Sequence, residues 1–220
     1  MIKAAIFDMD GTLIDSERLG FKAWQVTGER LGVREKITDE MVYSFIGRTR
    51  ATAMGKLAAA LGSEHAADDA FAVCQKIRRE LYETELAAKP GARETLEELR
   101  RRGVHCALAT SSYRDAAELS LRLAGLEGLL DTITTGEEAE RSKPEPDIFL
   151  LAASRAGANP AECIVVEDSL NGALAGHAAG MATYFIPDMI APNEQIRAAS
   201  TAILGSLAEL VPALEAAGRL

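Results

Sequence analysis

Apolar residues along the chain gather in short runs separated by longer amphipathic stretches. AAIF at 4–7, VHCALA at 104–109, TIT at 132–134, CIVVE at 163–167 and ATYFI at 182–186 are too short for helices. They are apolar almost throughout, as strands covered on both faces should be. Between the later runs the spacing predicts helices over 92–102, 147–157 and 170–180. The first of these closes on three arginines and Gly103, which places cations in the last turn and a glycine stop behind them. The second follows Pro146. Strands alternating with helices predict an α/β fold: a Rossmann-like, doubly wound, mostly parallel sheet with helices on both faces.

One segment breaks the alternation. From 16 to 85 the pattern is helical and no convincing strand occurs. Phe21, Trp24 and Leu31 recur at spacings of three and seven, which predicts one buried helix face. Lys89–Pro90–Gly91 then punctuates the return to alternation. The expected organisation is an α/β core from residues 1–15 and 86–220, with a helical cap domain at 16–85. Hinges are expected near 13–16 and 86–89. A lid of this kind would limit substrate size and exclude solvent during chemistry.

Composition narrows the partners. The 220 residues are 48% hydrophobic and 26% charged, an ordinary globular balance, and carry a net charge of −9. A surplus of acid argues against nucleic acid, whose binders need a basic face. No run approaches the roughly 18 apolar residues of a membrane span, and one Lys before a short strand does not read as a signal peptide. Cys74, Cys106 and Cys163 lack CxxC spacing and read as buried, reduced thiols, from which a cytoplasmic location is expected. The three histidines show no pairing at metal-ligand spacing, and His105 reads as a satisfied strand residue. The expected partner is a small molecule, and the chain is expected to be a monomer or weak dimer.

The candidate chemistry begins with FDMDGT. Asp8 and Asp10 lie two residues apart behind an apolar strand, and such close like charges need a cation between them. In open parallel sheets ligands bind beyond the carboxyl ends of the strands. Asp8 and Asp10, then Thr110, Ser111 and Ser112, then Glu167 and Asp168 all fall at such ends, with Lys143 in a remaining loop. Carboxylates grouped in this way suit Mg²⁺ together with substrate phosphate. Asp8, at the rigid end of its strand, is the candidate nucleophile toward phosphorus. Asp10 is the candidate acid and base, and Lys143 and Thr110 are candidates to orient the phosphoryl oxygens.

FDMDGT, ALATSS, SKPEPDIF and VVEDSLNG together resemble the four motifs of the haloacid dehalogenase superfamily, in order and over nearly the whole chain. The resemblance is closest to the β-phosphoglucomutase-like phosphatase branch with a small helical cap. It implies a phosphomonoester hydrolase acting on a soluble metabolite, such as a sugar phosphate, through an aspartyl-phosphate. It also implies Mg²⁺ held by the Asp8 carboxylate, the Asp10 backbone carbonyl, Glu167 and Asp168. Gly11, Thr12, Ser111 and Ser112 are expected around the phosphate, and Arg50 falls where that branch uses an Arg to hold substrate phosphate. A phosphomutase is the first alternative, but Gly20 and Tyr113 stand where mutases carry a His and a Lys. Dehalogenation needs neither the metal nor Asp10. A phosphoacceptor switch without turnover is the alternative from another class.

Overall fold

The computed structural model describes residues 1–46 and 51–220, together with the helical backbone at 50. Arg50, the expected phosphate ligand, has its side chain outside the described residues.

The chain forms two compact units, one of residues 1–15 and 87–220 and the other of residues 16–86. The first is built on a sheet of β1 (Ala4–Phe7), β2 (His105–Thr110), β3 (Thr132–Thr135), β4 (Cys163–Glu167), β5 (Ala182–Phe185) and β6 (Ala202–Ile203). All pairings are parallel and the spatial order is β3-β2-β1-β4-β5-β6. The helices of the chain are α1 (Ser16–Arg30), α2 (Asp39–Tyr43), α3 (Arg50–Leu61), α4 (Glu64–Glu85), α5 (Ala92–Arg101), α6 (Arg114–Leu123), α7 (Asp147–Arg155), α8 (Leu170–Ala178), α9 (Glu194–Ala199) and α10 (Leu210–Ala216).

Alternation along the strands explains the two covered faces. Ala4 and Ile6 of β1, Ala107 and Ala109 of β2 and Val165 of β4 share one face, against Ile148, Phe149 and Ala152 of α7 and Ala175 of α8. Their neighbours Phe7, Leu108 and Val166 point the other way and are fully buried. There Cys106 Sγ donates to the Leu96 carbonyl of α5 at 3.8 Å. Each such Phe or Ile contributes roughly 1.5–3 kcal/mol by leaving water. The strand order reverses between β1 and β4, the position where open α/β sheets form a ligand crevice. The two-residue β6 was not anticipated: a pair of residues carries no periodicity, and Thr201 N and Leu204 N reach the sheet only through Thr183 O and Phe185 O.

Among its described residues the second unit consists of helices joined by turns, with no strand. Ile37, Val42, Leu57 and Ala70 are buried together, with Phe21, Trp24 and Phe45 packed on them. Trp24 meets Phe45 edge-on, with centroids 5.7 Å apart. Leu31 departs from the expected face. Helix α1 ends at Arg30, Gly32 follows at φ 66°, and Leu31 is 40% exposed.

Cys74, Cys106 and Cys163 are free and buried. Burial pushes Cys74 and Cys163 up to about 11 and Cys106 up to about 12, so none is a thiolate near neutrality. His105 Nε2 is paired with Thr132 Oγ1 at 3.0 Å. No helix among the described residues is long and apolar enough to cross a membrane.

Candidate active site

The chain leaves β1 at Phe7 and enters a tight turn. Asp8 N still donates to Val166 O of β4 at 2.9 Å, which fixes the Asp8 backbone on the sheet. Leu13 N and Ile14 N both return to Met9 O, so residues 9–14 fold back on themselves. Gly11 sits at φ 82°, and a Cβ there would stand 2.3 Å from Asp168 Oδ2. Glycine therefore serves both the turn and the close approach of Asp168.

Asp8, Glu167 and Asp168 each present a carboxylate oxygen, and these atoms lie within 4.8 Å of one another, all in buried residues. Lys143 joins them from the loop after β3. Its Nζ donates to Asp8 Oδ1 at 2.6 Å, Glu167 Oε1 at 2.7 Å and Ala109 O at 3.2 Å. Glu167 Oε2 accepts from Asp168 N, Ser169 N and Ser169 Oγ at 2.8–2.9 Å, so the carboxylate is held at both ends. Nothing in the sequence spacing singles out Gly172, yet a Cβ there would stand 1.7 Å from Glu167 Oε1. The first turn of α8 can pack on Glu167 only through that glycine.

The remaining motif residues divide into those at the rim and those beneath it. Ser112 Oγ donates to Asp10 Oδ2 at 3.0 Å. Thr110 is buried and its hydroxyl accepts from Ser112 N at 3.1 Å, shaping the turn. It does not cap α6, whose N-cap position is Tyr113 without a side-chain bond. Ser111 is exposed. Thr12, expected beside the phosphate, is fully buried and gives its hydroxyl to Asp168 Oδ1 at 3.0 Å. It braces an acid. Beside Lys143 lies a cavity of about 270 Å³ lined by Ser111, Tyr113, Arg141 and Ser142 among others.

Charge in this cluster is unbalanced. Burial pushes the Asp8 carboxyl up to about 8; Lys143 pulls it down, while Glu167 and Asp10 push it further up. Burial works against the Lys143 ammonium, but Asp8 and Glu167 hold its pKa above the ordinary lysine value. Three buried carboxylates around one ammonium leave two negative charges uncompensated when all are ionised. Oxygen donors with that deficit fit a hard divalent cation.

A family model described as haloacid dehalogenase-like hydrolase matches residues 2–180. Hexitol phosphatase A of Escherichia coli (strain K12) is 37% identical over 180 residues, 81% of this chain and 80% of that protein. A crystal structure of a HAD family hydrolase from Deinococcus radiodurans R1, with bound phosphate and sodium, has a TM-score of 0.82 and 32% identity, covering 100% of this chain and 97% of that one. The beta-phosphoglucomutase of Clostridium difficile shares the fold at a TM-score of 0.74 and 22% identity, covering 96% of this chain and 93% of that one.

Proposed function

For this chain, which belongs to the haloacid dehalogenase-like hydrolases and is an enzyme that hydrolyses phosphate esters, we propose a Mg²⁺-dependent phosphomonoesterase acting on a phosphorylated polyol or sugar. The observation that carries this reading is Asp8: a buried carboxylate on the sheet, paired with Lys143 and grouped with Glu167 and Asp168.

Asp8 attacks phosphorus, and its new bond to the phosphoryl group forms as the ester P–O bond breaks. Asp10, oriented by Ser112, gives its proton to the departing alkoxide. A water molecule then loses a proton to Asp10 and attacks the same phosphorus. The Asp8–phosphoryl bond breaks and inorganic phosphate leaves, so both groups return to their starting states. Lys143 keeps Asp8 oriented and adds positive charge beside the equatorial oxygens. Mg²⁺ would be held by Asp8, Asp168 and Glu167, where it supplies charge neutralisation of the phosphoryl oxygens. Gly11 allows Asp168 its place, and Thr12 and Glu167's backbone partners hold the acids still.

The leaving-group assignment rests on two supports. The residues that line the cavity beside Lys143 include the hydroxyl-bearing Ser111, Tyr113 and Ser142 with Arg141 and Glu137, a polar set that suits a polyhydroxylated ligand. The relative at 37% identity is a hexitol phosphatase. Phosphate release from hexitol and sugar phosphates, measured in Mg²⁺ and in EDTA, tests the reading. Multiple turnovers in Mg²⁺, none in EDTA and none with Asp8→Asn are expected. Wild-type rates from Asp8→Asn would overturn it.

A further inference from the structure

Glu138 belongs to none of the four motifs, yet it carries a denser set of bonds than several of their members. Its Oε2 accepts from Thr135 N at 2.9 Å, Thr135 Oγ1 at 3.0 Å, Arg114 at 2.8 Å and Arg155 Nη1 at 3.1 Å. Its Oε1 accepts from Arg155 Nη2 at 2.9 Å. Three elements thus meet on one carboxylate: the end of β3, the first residue of α6 and the last residue of α7. The two arginines also reach the strand directly, both donating to Ile133 O at 3.1 Å, with Arg155 reaching Thr134 Oγ1 at 3.2 Å.

The position of this knot matters more than its size. Glu138 lies in the loop 136–146, which carries Lys143. Arg114 directly follows the loop 111–113, which carries Ser112 to Asp10. Arg155 ends α7, whose Phe149 ring lies 4.8 Å below the Lys143 ammonium. Thr135 and Arg114 therefore border loops that deliver groups to Asp8 and Asp10, and Arg155 ends the helix that packs against Lys143. Charged bonds of this sort are roughly twice as strong as neutral ones, and Arg155 holds the Glu138 carboxyl at about 2, so it is ionised at any working pH.

We infer that Glu138 is a positioning residue for phosphoryl transfer, tying β3, α6 and α7 together so that the loop after β3 holds Lys143 against Asp8. Glu138 is five residues from Lys143 and acts through the loop backbone. The inference rests on the role given above to Lys143, and the experiment separates the two.

A double-mutant cycle in Mg²⁺ measures kcat, KM and melting temperature for Glu138→Gln, Lys143→Met and the pair. Glu138→Gln is expected to lower kcat about tenfold with KM changed less than about twofold, the pattern of an interaction felt in the transition state. In the Lys143→Met background it should change the residual kcat less than about twofold, because the group it positions is gone. A wild-type kcat for Glu138→Gln overturns the inference, and so does a full tenfold loss in the Lys143→Met background, which would mark a general defect of the fold. Should Glu138→Gln fail to fold, Arg155→Met removes the partner of Oε1 and is read by the same cycle. If Lys143→Met itself keeps wild-type kcat, the assigned role of Lys143 fails first. If it loses kcat while Glu138→Gln does not, only this inference fails.

Discussion

Lys143 Nζ stands 2.6 Å from Asp8 Oδ1, and the two side chains are 6% and 11% exposed. The pair spans 135 positions of sequence. Removing one member of a buried pair strands the other, at a cost of roughly 3–5 kcal/mol. Lys143→Met is therefore expected to lose stability of that order in EDTA above about pH 8, where Asp8 is ionised, and to recover part of it in Mg²⁺. Its kcat should fall by about 10²–10³-fold, as for loss of one group that stabilises charge in the transition state. Denaturant titrations in both buffers and steady-state kinetics in Mg²⁺ check both. An unchanged midpoint in EDTA would show that the pair is dispensable.

Ser112 contributes through Asp10, which it contacts at 3.0 Å. Asp10→Asn should slow turnover by about 10²–10⁴-fold on alkyl phosphates. With p-nitrophenyl phosphate, whose leaving group needs no proton, phosphoenzyme should instead build up as a burst before the slow second step. Ser112→Ala should give the same pattern in milder form, about threefold to tenfold. A p-nitrophenyl phosphate time course without a burst, its first step slowed as much as the second, would argue against the acid–base role.

Gly172→Ala should be costly for a surface-sized change. The added carbon would sit 1.7 Å from Glu167 Oε1, so Glu167 or α8 must move. Destabilisation of about 1–3 kcal/mol is expected, as for overpacking elsewhere. The rise in melting temperature on adding Mg²⁺ should shrink with it, since ligand stabilisation follows affinity. A wild-type metal response would mean that Glu167 tolerates displacement.

The Glu138 carboxyl is held at about 2, below its ordinary value of 4.5, by Arg155 first and then by Thr135. A carboxyl lowered on folding stabilises the native state above its unfolded pKa and loses that contribution as the pH falls through its folded one. The melting-temperature gap between wild type and Glu138→Gln should therefore be constant above about pH 5. It should close as the pH drops from 4.5 toward 2. A gap independent of pH across that window would show that the charge does not matter.

Five strands and the helices α5, α7 and α8 are legible in the sequence, because the strands are short, mostly apolar runs and the helices are longer stretches bounded by proline or glycine. The motif acids are legible for a related reason: each follows such a run directly, and a strand end is a place that sequence alone can locate. Leu31 departs from its period because the helix stops at Arg30 while the apolar spacing in the sequence runs on. Thr12 shows that adjacency to a motif acid in sequence says nothing of direction, since its hydroxyl turns inward to Asp168.

Local pattern is enough to place the alternation, the order of the motifs and the edge of the sheet on which they gather. Which of those groups touch is a matter of packing. Lys143 meets Asp8, Gly172 makes room for Glu167, and Thr135, Arg114 and Arg155 converge on Glu138. Burial follows from local pattern along a continuous strand or helix, where hydrophobicity and period set it, and fails where the element stops, as at Leu31. Contact between polar side chains distant in sequence depends on distances of a few ångströms, which only the packed helices and strands define.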